Sequence, residues 1–174
     1  MSIRTVRLSA QALLAAAVLA LTSAPSLAGG DWNDSAVAWK PYEQGLAEAK
    51  EANKPICLVF YTDWCPHCTN YSKVFHDPAV VEASAKLVMI RINKDQDKPA
   101  SARYAPDGEY IPRTYFLEPD GTLLDQVTEN RPNYRYFYDE HDPKSVLRSM
   151  NTVVAMTFDA VPAAADASKP AANP

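Results

Sequence analysis

The stretch Trp64-Cys65-Pro66-His67-Cys68 constrains this chain more than any other. An apolar run, Pro55 to Tyr61, precedes it and reads as a buried strand. A helical pattern follows it, starting near Pro66 and carrying Tyr71, Val74 and Phe75 at helical spacing. The cysteine pair therefore sits where a strand turns into a helix. Unpaired backbone N–H groups and the positive end of the helix dipole face Cys65 there, so a thiolate at Cys65 is expected to be populated at neutral pH. Pro66 suits the first turn, because its missing N–H would have had no partner. His67 is expected to add a donor or a positive charge close to the same sulfur. Cys68, about one turn on, is within disulfide reach and is placed to resolve a mixed disulfide. A Cys-x-x-Cys pair alone also fits half of a zinc site. Zinc would need two further ligands, and only Cys57, His76 and His141 remain, without a second paired spacing. The strand-to-helix setting favours redox chemistry, with no metal and no cofactor.

The chain has 174 residues, a formal charge of -4 and 47% hydrophobic residues, which suits one globular domain with a core of its own. No basic block is present, so there is no footprint for nucleic acid. Residues 1–28 read as a cleaved secretory signal peptide. Arg4 and Arg7 form a positive start, Ala12 to Leu21 is an apolar run too short to span a bilayer, and Ser26 and Ala28 are small residues before a cut after Ala28. The expected location is the periplasm, without stable membrane association. Three cysteines do not make a disulfide scaffold even in an oxidising compartment. Cys57 lies inside an apolar strand and reads as a small core residue.

Residues 29–35 are polar and read as a flexible segment ahead of a domain over 36–158. A short strand is expected at Ala36–Trp39. Tyr42–Ala52 reads as an amphipathic helix with Leu46, Ala49 and Ala52 inward. The central strand Ile56–Tyr61 and the motif helix come next. Asp77-Pro78 reads as an N-cap and first-turn proline opening a segment to about Ala85. Leu87–Ile92 is a second central strand and Ala100–Tyr104 a short helix. Thr114–Leu117, the turn Glu118-Pro119-Asp120-Gly121 and Thr122–Val127 read as an antiparallel hairpin. Asn130–Asp142 is rich in aromatics and reads as a packed loop or short strand closing the sheet edge, or else as an exposed recognition surface. Asp142-Pro143 opens a last helix to about Met156. Residues 159–174 form an Ala/Pro-rich tail expected to be disordered. This order predicts an α/β fold: a mixed central sheet with helices on both faces.

These residues resemble the thioredoxin superfamily: a Trp-Cys-x-x-Cys opening a helix after a central strand, then Ile111-Pro112 before a further strand, then a Pro-Asp-Gly hairpin. The resemblance implies a thioredoxin-like fold, a cis Pro112 lying against the motif, and an Ile111 backbone able to pair with an extended substrate segment. Gly108 to Gly121 and Glu129 to Tyr138 are most similar to the small endoplasmic-reticulum thioredoxin-domain proteins of the anterior-gradient family. The similarity runs from about Trp39 to Ala155. The chain ends Ala171-Ala172-Asn173-Pro174, without a retention signal of the Lys-Asp-Glu-Leu type, which suggests a bacterial exported relative. Pro66-His67 is the dipeptide of DsbA-type thiol oxidases, whose large helical insertion has no room here. Thioredoxins carry a buried carboxylate six residues before the first cysteine. Val59 stands there instead, so deprotonation of Cys68 needs another route.

The function these readings imply is an exported thiol–disulfide oxidoreductase acting on protein thiols or disulfides, in the oxidase or isomerase direction, with a recycling partner protein. Cys65 is the nucleophile, Cys68 resolves, and His67 and Pro66 tune the pair. Trp64, Ile111 and Pro112 bind substrate, with Trp64 shielding the sulfurs. Three alternatives stand beside it: a reductase, a Cu(I) chaperone using Cys65 and Cys68, and a non-enzymatic client-binding module built on the aromatic segment and the Ile111-Pro112 groove.

Overall fold

The computed structural model describes residues 29–159; the expected signal peptide, and the tail from residue 160 on, lie outside them. The first elements are β1 (Trp39–Lys40), α1 (Tyr42–Ala52), β2 (Ile56–Tyr61) and α2 (Pro66–Ser72), which runs on into a 3-10 turn at Lys73–His76. The rest are α3 (Pro78–Ser84), β3 (Val88–Asn93), α4 (Lys98–Arg103), β4 (Arg113–Leu117) and α5 (Pro143–Val154). The sheet has the order β1-β3-β2-β4. β3 runs parallel to both β1 and β2, and β4 runs antiparallel to β2. This is the α/β, thioredoxin-like arrangement expected from the sequence.

β2 is apolar throughout because both its faces are covered. Cys57 and Val59 face one side with Met89 and Phe116, under Tyr71, Phe75, Val80, Val146, Met150 and Val153 from α2, α3 and α5. Ile56, Leu58 and Phe60 face the other side with Ile90 and Tyr115, under Ala49 of α1 and Ala100 of α4. The period of two along the strand thus feeds two separate cores. Cys57 is a buried member of the first and has no disulfide partner.

Three helices carry an Asp side chain as cap: α3 and α5 start at Pro78 and Pro143, and α4 starts at Lys98 with Pro99 in its second position. Asp77 accepts from the N–H groups of Ala79 and Val80, Asp97 from Ala100, and Asp142 from Lys144. The Asp-Pro signals place the starts of α3 and α5 as expected, whereas α4 starts two residues before the expected Ala100, because Asp97 caps it.

Several expectations change. The stretch 29–35 is tied down: Trp32 is buried and donates from Nε1 to the Gly29 carbonyl at 2.8 Å, and Asn33 donates to the Phe75 carbonyl at 2.9 Å. A polar composition hid one large aromatic anchor. Trp32, Trp39, Tyr61, Tyr71 and Phe75 form a linked aromatic cluster, with the Arg91 guanidinium 5.3–5.6 Å from the rings of Trp32, Trp39 and Tyr61. On α1, Ala52 is exposed, and the buried positions are Gly45 and Ala49. A Cβ at Gly45 would lie within 2.4 Å of Ile90 Cγ1, so a side chain there has no room. Thr122–Val127 does not form a strand. The hairpin shrinks to one antiparallel bridge, Leu117 with Leu123, after a turn whose Gly121 has a φ of 88°. The polypeptide then leaves the sheet because Leu124 and Val127 dive into the first core. Among the described residues no helix is long and apolar enough to cross a membrane.

Candidate functional site: a cysteine pair facing a cis-proline loop

Strand order brings the site together. β2 ends at Tyr61, and three residues of loop carry the chain to Cys65. β4 runs antiparallel beside β2 with Phe60 opposite Arg113, so the residues just before β4 reach the end of β2 from which the motif departs. Those residues are Ile111 and Pro112, joined by a cis peptide bond. The Cys65 thiol faces the Ile111 carbonyl oxygen at 4.0 Å. Among the described residues, neither the N–H nor the C=O of Ile111 takes part in a backbone–backbone hydrogen bond. That leaves a short edge of polypeptide able to accept a strand beside the sulfur.

Cys65 is the N-cap of α2, and its sulfur occupies the place that a Ser or Asp oxygen usually fills. Its backbone is extended (φ -86°, ψ 113°), and Sγ accepts the Cys68 N–H at 3.1 Å. A helix-end donor that would otherwise lack a partner is thus spent on sulfur. Pro66 occupies the first helical position, as expected. Cys65 is 3% exposed and Cys68 fully buried. Burial pushes the Cys68 thiol well above its ordinary value, helped by its hydrogen bond to Cys65 and by the negative charge of Glu140, while the Thr62 backbone pulls the other way. Burial alone pushes Cys57 up as well. Val59, in the place of a buried carboxylate, is an apolar core residue. Asp63 is exposed and accepts from Asn93 Nδ2 at 3.0 Å.

Two expected contacts are different. His67 does not hydrogen-bond Cys65; its Nδ1 lies 2.8 Å from Glu140 Oε2, and its ring stands edge-on to Phe137 with centroids 5.9 Å apart. Trp64 does not shield the sulfurs. It is 68% exposed, and its indole N–H donates to Asp95 at 2.8 Å. Carboxylates on neighbouring loops, the exposed Asp95 and the largely covered Glu140, hold these two side chains, and local spacing carries no trace of loops 31 or 73 residues further on. His76 is a surface residue bonded to the Asp31 carbonyl at 3.0 Å. Tyr71 and Phe75 are buried in the core, as expected.

Sequence reasoning missed two supporting groups. The first is Arg113, directly after Pro112 and fully buried. Its Nη1 donates to the Gly108 carbonyl at 2.9 Å and its Nη2 to Ser101 Oγ at 2.6 Å, and the guanidinium lies 4.8 Å from the Phe60 ring centroid. It pins the loop that leads into the cis-proline. The second is Glu140, discussed below. In the aromatic segment, Tyr136 and Tyr138 are buried, and Thr114 N–H donates to the Tyr136 carbonyl at 2.8 Å, so the aromatic side chains at this end pack as expected, while the run 130–135 is exposed. Tyr134 is the exception: it is 59% exposed, with a φ of 56°, and stands against Tyr110. Among the described residues no cluster of three or more His, Cys, Asp or Glu is arranged to hold a metal ion.

Comparison with known proteins agrees with this geometry. A family model described as thioredoxin-like matches residues 38–119. The chain is 32% identical over 154 residues to anterior gradient protein 3 of Xenopus tropicalis, covering 86% of this chain and 91% of that one. It is 28% identical over 134 residues to the human anterior gradient protein 2 homolog, covering 76% and 74%. The solution structure of a thioredoxin from Thermus thermophilus superposes with a TM-score of 0.54 at 21% identity, over 69% of this chain and 88% of that one, which shows the shared fold.

Proposed function

This chain belongs to the anterior-gradient family of thioredoxin-like proteins, and from that premise we propose that it is an exported thiol–disulfide oxidoreductase that exchanges disulfides with protein substrates through Cys65 and Cys68. The observation that carries the reading is the Cys68 N–H donated to Cys65 Sγ beside an open Ile111 edge. A negative charge on that sulfur is met by a donor already in place, so little reorganisation is needed when it attacks or leaves.

The exchange follows from the placement of the two sulfurs. A client segment pairs with the Ile111 backbone and brings its sulfur to Cys65. With the protein oxidised, a client thiolate attacks Cys65 Sγ, the Cys65–Cys68 bond breaks, and Cys68 takes up a proton. A second client thiol, having lost its proton to solvent, then attacks as thiolate the client sulfur of the mixed disulfide, and Cys65 leaves as a thiolate onto the Cys68 N–H. Two electrons pass from the client to the protein. A partner protein carrying a disulfide restores the oxidised state.

Two features support the oxidising or isomerising direction. The donor to Cys65 favours the reduced form of the protein, which makes its disulfide oxidising. The reducing direction needs the Cys68 proton to be removed, and burial together with Val59 beneath the pair opposes that. The N-terminal pattern of Arg4, Arg7, an apolar run and Ser26-Leu27-Ala28 supports export to the periplasm. Equilibration of the protein with glutathione buffers tests the direction. The expected potential lies well above that of thioredoxin, and a value near about −270 mV would make it a reductase. N-terminal sequencing of the protein recovered from the periplasm tests export, with Gly29 the expected first residue.

A further inference from the structure

The Glu140 carboxylate is the most heavily engaged acid near the motif. Its side chain is only 12% exposed, although it lies in a loop. Oε2 meets His67 Nδ1 at 2.8 Å, and Oε1 accepts from Asn70 Nδ2 at 3.3 Å and lies 3.2 Å from His141 Nε2. His67 and Asn70 are three residues apart on α2 and so share a face. The loop that carries Glu140 is fixed on both sides. Before it, the buried Tyr138 donates its hydroxyl to Ser149 Oγ at 3.0 Å, and Asp139 N–H donates to Ser145 Oγ at 2.9 Å. After it, Asp142 caps α5.

His67 is the outward end of this arrangement. Its side chain is 60% exposed, it stands two residues past Cys65 in the first turn of α2, and Phe137 braces the ring edge-on. A carboxylate on Nδ1 selects the tautomer that carries its proton there. Nε2 is then a lone pair, and it makes no hydrogen bond among the described residues. The geometry is that of a carboxylate-oriented imidazole with its basic nitrogen unpartnered among the described residues, on an exposed side chain two residues from Cys65. It is not that of an imidazole aimed at the Cys65 sulfur.

We propose that His67, oriented by Glu140, is the proton acceptor for the client thiol that attacks the oxidised pair. This rests on the oxidoreductase reading. The client thiol gives its proton to His67 Nε2, and the resulting thiolate attacks Cys65 Sγ. The S–S bond between Cys65 and Cys68 breaks, its electron pair stays on Cys68 Sγ, and that sulfur takes a proton from water. The first half of oxidation thus needs no client thiol that is already ionised. Glu140 is a positioning residue: it fixes tautomer and direction and touches no reacting atom.

The test is single-turnover reduction of the pre-oxidised protein by peptide thiols at one pH, comparing wild type with His67→Gln and Glu140→Gln. The peptides span thiols that are mostly protonated at that pH and thiols that are already ionised. For the protonated thiols the rate falls about 10²-fold in His67→Gln, within the usual range for acid–base groups, and about 10-fold in Glu140→Gln. For ionised thiols both variants stay within about threefold of wild type. The equilibrium constant with glutathione also moves by less than about threefold in each, or under about 15 mV for a two-electron couple. Losses that are the same for every thiol, or a large shift in that constant, overturn the proposal, since they mean that His67 acts on the Cys65 sulfur or on the fold. Failure of the wild type to exchange with any thiol overturns the oxidoreductase reading along with it, whereas exchange with uniform losses overturns this proposal alone.

Discussion

Cys65 and Cys68 lie three residues apart and are both withdrawn from solvent, yet they occupy different chemical regions. Cys65 is at the rim: its sulfur holds an N–H, faces the Ile111 carbonyl, and has the open edge of the cis-proline loop in front of it. Cys68 is in the interior, where burial and the charge of Glu140 both oppose ionisation. Cys57, deeper still, has burial alone to raise it and no partner. Exposure separates the first two sulfurs by only 3% against 0%. What separates them is the donor that Cys65 holds, against the burial, the hydrogen bond to Cys65 and the nearby negative charge that raise Cys68.

The largest effect expected from breaking this contrast is chemical. Cys65→Ser should reduce disulfide exchange with a peptide dithiol to the uncatalysed rate while the melting curve stays close to wild type. Cys68→Ala should keep the attack and accumulate mixed disulfides on Cys65, visible by non-reducing electrophoresis and mass spectrometry. If the two variants behave alike, rim and interior are not distinct.

Next in size is the support beneath the rim. Arg113→Ala removes a buried cation and leaves the Gly108 carbonyl and Ser101 Oγ without it. Charge-assisted hydrogen bonds plus the lost volume put the cost at about 3 kcal/mol in urea unfolding. Exchange should fall with it, because the loop carrying Ile111 and Pro112 loses its anchor. Unchanged stability would mean that the loop is held by other contacts.

A smaller effect isolates the deepest sulfur. Cys57→Ala should cost about 1–2 kcal/mol by opening space in the first core, with exchange rates unchanged. A change in exchange would assign chemistry to the deepest of the three thiols.

The smallest effect lies far from the pair. The Thr122 N–H, which donates to Asp120 Oδ1 at 2.8 Å, holds that exposed carboxyl below its ordinary value. The ionised form is favoured in the folded state, so its contribution is present above the ordinary range, near about 3.9, and is lost as pH falls through the lower folded value. Asp120→Asn should remove that acid-limb loss and leave neutral stability within about 0.5 kcal/mol. Urea midpoints measured from pH 2 to 7 would read it.

The sequence carried most of the architecture because its punctuation is local. Asp77-Pro78 and Asp142-Pro143 state where helices begin, and Asn53-Lys54-Pro55 states where one ends. Apolar runs mark β2 and β3 as strands covered on both faces. The reactive pair and its facing proline were legible for the same reason: strand, motif and helix are contiguous, and Ile111-Pro112 is placed by topology. What stayed hidden depends on distant loops. Glu140 reaches His67 across 73 residues of sequence and Asp95 takes Trp64, while Arg113 turns back onto Gly108 and onto Ser101 of α4. A polar side chain at the surface takes the nearest partner that the fold supplies, and residue spacing does not encode which loop that is. Trp32 misled for the opposite reason, since six ordinary neighbours masked one side chain with a large apolar area to bury.

The withdrawn, interior character of Cys68 is tested most directly by following thiolate absorbance near 240 nm against pH in Cys65→Ala with Cys57 also replaced by Ala. The account predicts that the sulfur left in Cys65→Ala, Cys68, ionises above the free-cysteine value of about 8.5, because burial opposes its charge. A Cys68 thiol that titrates at or below the free value would contradict it.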